Sequence, residues 1–154
     1  MKTRITLMSL GLCFFGVLCF AADDVQMGTW KLNEAKSKIS AGAPKNSTVV
    51  YAADGDNIKV TVDGTDADGK PTHNEWTGKF DGKDYPVTGD PTQDMRSYKK
   101  INARTMALTV KKDGKVATSG RIVVAADGKS RTVTTTRTDS TGKKSTSTSV
   151  YDKS

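Results

Sequence analysis

From Ser47 onward, apolar and polar positions alternate with a period of two. Ile58, Val60 and Val62 are interleaved with Lys59, Thr61 and Asp63, and Thr48-Val49-Val50-Tyr51 ahead of them is β-branched and aromatic. That period predicts strands with one buried face. The segments are punctuated by Asp54-Gly55, Asp68-Gly69, Asp81-Gly82, Asp113-Gly114, Asp127-Gly128 and Thr141-Gly142. Asp-Gly between alternating segments is a strong hairpin signal, because both residues reach positive φ at low cost. The spacing leaves strands of about ten residues, longer than the usual five or six. Upstream, Gly28-Thr29-Trp30-Lys31-Leu32-Asn33 reads as a first strand, while Glu34 to Asn46 is broken by Gly42 and Pro44 and reads as a loop or a single helical turn. Pro71, Pro86 and Pro91 fall near turns or strand starts, and Tyr85 to Asp94 is expected to be an irregular crossing. The expected fold is all-β: an antiparallel meander closed into a barrel, which leaves no exposed edge.

The first residues change the picture of where the chain works. Lys2 and Arg4 precede an apolar run from Ile5 to Phe20, and Ala21-Ala22 stands before Asp23-Asp24. This has the pattern of a secretory signal peptide over residues 1–21, cleaved after Ala21, with residues 22–154 as one exported barrel domain, periplasmic or secreted. A lipid anchor requires a small residue directly before a cysteine. Leu12 precedes Cys13 and Leu18 precedes Cys19, so no stable membrane anchor is expected. Both cysteines fall within the segment to be removed, which leaves stability to the core alone. Loss of Lys2 and Arg4 takes the basic residues from 24 to 22 against 17 acids, a net charge of 22 − 17 = +5. These charges are scattered and not interleaved with aromatics, which argues against nucleic acid as a partner.

Gly28-Thr29-Trp30-Lys31-Leu32 near one end and Val150-Tyr151-Asp152-Lys153 at the other resemble the calycin superfamily, nearest to its lipocalin and fatty-acid-binding-protein group. The resemblance implies an up-and-down barrel of eight to ten strands around a ligand cavity, with Trp30 closing one end. Fatty-acid-binding proteins insert two helices after the first strand, and Glu34 to Asn46 is too short and too interrupted for that pair. They also hold a ligand carboxylate with an arginine two positions before the terminal tyrosine, and here that position is Ser149. Strand counting puts Arg121 in place of a second family arginine; Arg137 sits one strand too late.

Register decides which of these residues face a cavity. With Met106, Leu108 and Val110 inward and a two-residue turn at Asp113-Gly114, Arg121 points inward beside Thr134, with Ser149 and Tyr151 on the same inner face. Three-residue loops flip the parity, so that Val116, Ile122 and Val124 fill the core while Arg121 and Tyr151 face solvent. The second version buries more apolar surface and is favoured. Both versions place Thr132, Thr134, Thr136 and Thr138 inside and Arg137 outside, which implies a partly wet interior and a cavity rather than a fully packed core.

Other chemistry is sparse. Asp66, Asp68, Gly69 and Glu75 match part of a calcium loop, but its first position is Gly64 and Pro71 interrupts it, so a hairpin turn is the better reading. His73 is the only histidine and has no serine or cysteine motif to pair with, and Trp76 is expected in the core. No catalytic residue, metal or cofactor is expected. The chain is read as a monomeric barrel that binds a small amphipathic ligand without covalent chemistry. Met106, Leu108 and Val110 would hold the ligand, oriented by Arg121, Tyr151 and Thr134. The alternative is an exported protein-interaction module that uses the barrel surface or open end.

Overall fold

The computed structural model describes residues 24–154, so the expected signal peptide and both cysteines lie outside the described residues. Ten strands follow one another: β1 (Gly28–Lys38), β2 (Lys45–Asp54), β3 (Asn57–Thr65), β4 (Pro71–Gly78), β5 (Tyr85–Thr88), β6 (Met95–Lys100), β7 (Thr105–Lys112), β8 (Lys115–Val124), β9 (Ser130–Thr138) and β10 (Lys144–Lys153). Each pairs antiparallel with its sequence neighbour, and β1 pairs with β10 to close the barrel. The alternation in the sequence therefore becomes an inner and an outer face around a closed all-β wall.

Two segments depart from expectation. β1 runs on through Glu34–Lys38, where a loop or helical turn was expected. Its register against β10 shifts between Asn33 and Lys38, and side chains replace the missing ladder bonds. The Ser37 hydroxyl donates to the Asn33 carbonyl at 2.7 Å and accepts from the Val150 amide at 2.9 Å. The expected irregular crossing at Tyr85–Asp94 begins as a real but short strand, β5, with two paired positions on each side. Pro86 removes one donor from it, and Gly89, at φ 89°, turns the chain out.

The turns set the register, and each solves the problem differently. Asp113 and Gly114 form the expected two-residue turn, both at positive φ (49° and 76°), and pair Lys112 with Lys115. One step further the ladder skips Ala117, so Val110 opposes Thr118. That bulge flips the parity for the rest of β8. Ile122 and Val124 go into the core and Arg121 goes out, while Val116, ahead of the bulge, stays half exposed and does not join the core. At the first hairpin Asp54 pairs with Asn57, so the turn residues are Gly55 and Asp56 rather than Asp54 and Gly55. Between β9 and β10, Thr138 opposes Lys144, and the Asp139 amide bonds the Lys143 carbonyl across a three-residue loop.

These changes of parity correct the threonine stripe. Arg131 opposes Val124 on one side and Tyr151 on the other, so Arg131, Val133, Thr135 and Arg137 face inward. Thr132, Thr134, Thr136 and Thr138 are therefore on the outer face. Arg137 is inside, where outside was expected, and Tyr151 is buried, where the favoured register had it in solvent.

One end of the barrel is solid. Trp30, Val60, Met106 and Val124 are fully buried there, and Trp76 sits edge-on to Tyr98 at 4.8 Å between ring centroids. Tyr51 and Phe80 complete the aromatic layer. Burial of each large side chain stabilises the fold by about 1.5–3 kcal/mol. The Trp30 indole N–H donates to the Gln26 carbonyl at 2.8 Å and the Trp76 indole to the Arg96 carbonyl at 2.8 Å, so neither ring leaves a polar atom unmet.

Candidate functional site

Above the aromatic layer the side chains stop filling the interior. A cavity of about 400 Å³ opens between the β1–β2, β3–β4 and β5–β6 loops, with Pro44, Asp66 and Asp90 at its rim. Val49, Val62, Leu108, Val110, Ile122 and Val133 line its middle. Toward the aromatic layer lie Tyr51, Tyr98, Tyr151 and Arg131, and Ser149 pairs with Val133 on the wall.

Arg131 is the unusual member. It is 2% exposed, yet its Nε and Nη1 have no hydrogen-bond partner. Its guanidinium carbon sits 4.7 Å from the Trp30 ring, 4.9 Å from Tyr51 and 5.1 Å from Tyr151. Three rings around one cation recover part of its lost hydration through their negative faces. They leave its Nε and Nη1 donors unmet. Burial pushes the phenols of Tyr51 and Tyr151 up from their ordinary value, so neither supplies a negative charge.

A second buried arginine, Arg96 on β6, is treated differently. Its Nη2 donates to Asn74 at 2.9 Å and to Gln93 at 2.7 Å, its Nε to Gln93 at 3.2 Å, and its Nη1 to the Tyr98 hydroxyl at 3.4 Å. All these acceptors are neutral. Among the described residues, every ion pair is made by a lysine or by His73, and none by an arginine. The barrel wall therefore carries buried positive charge that no carboxylate among the described residues bonds directly; Asp90 reaches Arg96 only through Gln93 and through its field. The rim acids are occupied locally. Asp66 accepts from the Asp68 and Lys70 amides, and Asp90 from Thr92 and Gln93. Partial burial raises the Asp90 carboxyl, but the Gln93 and Thr92 bonds and the Arg96 charge outweigh it and leave the group below its ordinary value.

The structure divides the residues expected at the site. Met106, Leu108, Val110 and Tyr151 face inward, with Met106 in the closed end and Leu108 and Val110 on the cavity wall. Arg121 and Thr134 oppose each other on the outer face and do not line the cavity. Arg121 and Tyr151 are thus on opposite sides of the wall and cannot act as a pair. Trp30 lies at the closed end, packed on Arg131. The partial calcium pattern is a turn whose Asp66 carboxylate is taken by backbone amides. His73 is exposed on the outer face of β4, 2.6 Å from Asp63. Among the described residues, no group of three or more metal-ligating side chains comes together.

Arg131 and Arg137 were missed because β9 is threonine on both faces. The signal that could have found them is Val133. It is the only aliphatic residue in Ser130–Thr138, and facing it inward carries Arg131, Thr135 and Arg137 with it.

No family model matches the chain, and no curated protein matches it. Solved structures do. A redesigned β barrel, mFAP1, bound to DFHBI, is 16% identical with a TM-score of 0.48, over 84% of this chain and 95% of that one. EF1p2_mFAP2b, bound to DFHBI, is 10% identical with a TM-score of 0.51, over 84% of this chain and 94% of that one. At that identity the likeness is one of fold: an antiparallel up-and-down barrel.

Proposed function

We propose that this barrel takes up a small amphipathic molecule through its open end and holds an acidic head, such as a carboxylate, on Arg131. The observation that carries the reading is a buried guanidinium in the cavity lining whose Nε and Nη1 have no hydrogen-bond partner. A buried unsatisfied donor costs about 1–3 kcal/mol, so its persistence points to a partner that arrives from outside the chain. An anion there gains charge-assisted hydrogen bonds in a dry setting. Tyr51 and Tyr151 flank the head, and Leu108, Val110 and Ile122 accept the apolar remainder. The binding is non-covalent. EF1p2_mFAP2b, of similar fold, is bound to DFHBI; for this chain the reading rests on its own residues. The leader pattern over residues 1–21 supports export and work outside the cytoplasm, in kinship with lipocalin-like carriers.

Native mass spectrometry of the protein taken from its own source, followed by titration of delipidated protein with decanoate and with decanol, tests the reading. A bound small acid in the native spectrum, and decanoate binding well above decanol, support it. Protein that arrives empty and binds neither compound overturns it.

A further inference from the structure

The cavity carries cationic groups at two depths. Arg131 and Arg137 both face inward from β9, six residues apart, which separates their Cα atoms by about 20 Å along an extended strand. Val133 and Thr135 lie between them on the same face. Arg96 on β6 is connected to Arg137 through an unbroken row of inward-facing cross-strand partners, Arg96–Val110–Thr118–Arg137. The wall from floor to mouth is therefore guanidinium, apolar and hydroxyl surface, then guanidinium again. Among the described residues, no carboxylate forms an ion pair with any of the three arginines. The rim acids Asp66 and Asp90 spend their oxygens on turn amides and on Thr92 and Gln93.

A ligand with one acidic end answers only the lower charge. We propose that the preferred occupant is a two-headed acid, an apolar chain with a carboxylate at each end, one on Arg131 and the other at the Arg137 level. This rests on the reading of Arg131 given above and adds the second head. The apolar middle of the ligand then spans Leu108, Ile122 and Val133, and each head meets a guanidinium on the β9 wall. Each charged pair formed in so confined a site outweighs a solvated one, because guanidinium and carboxylate match in geometry.

The test is isothermal titration of the delipidated protein with decanoate, decanedioate and decyl phosphate, repeated in Arg137→Gln and Arg131→Met. Arg137 is half exposed and its replacement leaves the closed end intact, so the first variant is the cleaner probe. Decanedioate is expected to bind at least about tenfold tighter than decanoate, the increment of one added charge-assisted contact. Arg137→Gln should erase that advantage and leave decanoate affinity unchanged within about twofold, while Arg131→Met should weaken both. Equal affinity for decanoate and decanedioate, or an advantage that survives Arg137→Gln, overturns the two-headed proposal and leaves the single-headed reading standing. Decyl phosphate binding tighter than decanedioate places both charges on one head and overturns it equally. Absence of binding by all three compounds removes both readings together.

Discussion

Replacing Arg131 with methionine separates a guanidinium kept for a ligand from one kept for the fold. The change removes a cation 4.7–5.1 Å from three ring centroids and leaves an apolar side chain of similar length. Loss of the ring contacts costs about 2 kcal/mol, the value for one desolvated cation shared by three rings. Removal of two unpaired buried N–H groups, Nε and Nη1, returns about 2–6 kcal/mol at 1–3 each. The ligand-free variant should therefore be at least as stable as the parent. Urea unfolding followed by tryptophan fluorescence reads this, because Trp30 lies against the substituted side chain. In the same protein, decanoate binding should fall by at least about tenfold. A ligand-free variant destabilised by more than about 2 kcal/mol refutes the reasoning, since Arg131 would then be a structural brace held by its aromatic box.

Other substitutions have smaller or more local consequences. Trp30→Ala should cost about 3–5 kcal/mol in urea, through the lost ring and the vacated bond to Gln26. Arg121→Ala should leave stability within about 0.5 kcal/mol and ligand affinity unchanged, because its side chain is on the outer face. Gly89→Ala should destabilise by about 1–3 kcal/mol, since a Cβ there would stand 2.5 Å from the His73 carbonyl at a φ of +89°. His73 should titrate above its ordinary value in an NMR titration because Asp63 bonds its charged form, and Asp63→Asn should bring it back down. The sign follows: the contribution of this pair to stability is full below the unfolded histidine value and is lost as pH rises through the folded one.

The barrel was legible because its signals are local. Six Gly-containing turns and period-two segments such as Ile58-Val60-Val62 specify a meander without reference to tertiary contacts. Facing was harder, because it depends on events one residue long. The skip at Ala117 and the odd loop between Thr138 and Lys144 each invert a strand, and neither has a composition that announces it. The inward facing of Leu108 and Val110 was legible because aliphatic side chains mark their own face. Arg131 was hidden in Ser-Arg-Thr-Val-Thr-Thr-Thr-Arg-Thr, where threonine suits either face and only Val133 breaks the tie. Glu34–Lys38 failed for a related reason: Asn33 and Ser37 hold that strand by side-chain bonds to β10, a partner more than a hundred residues away.

The most direct test of the ligand site is the position of a bound acid's head. A crystal structure of the protein soaked with decanoate should show the carboxylate within hydrogen-bond distance of the Arg131 guanidinium, beside the Tyr51 and Tyr151 rings, with the chain running up past Leu108 and Ile122. A carboxylate at the rim near Pro44 and Asp90 with the chain pointing down, or an empty cavity at saturating decanoate, would contradict it.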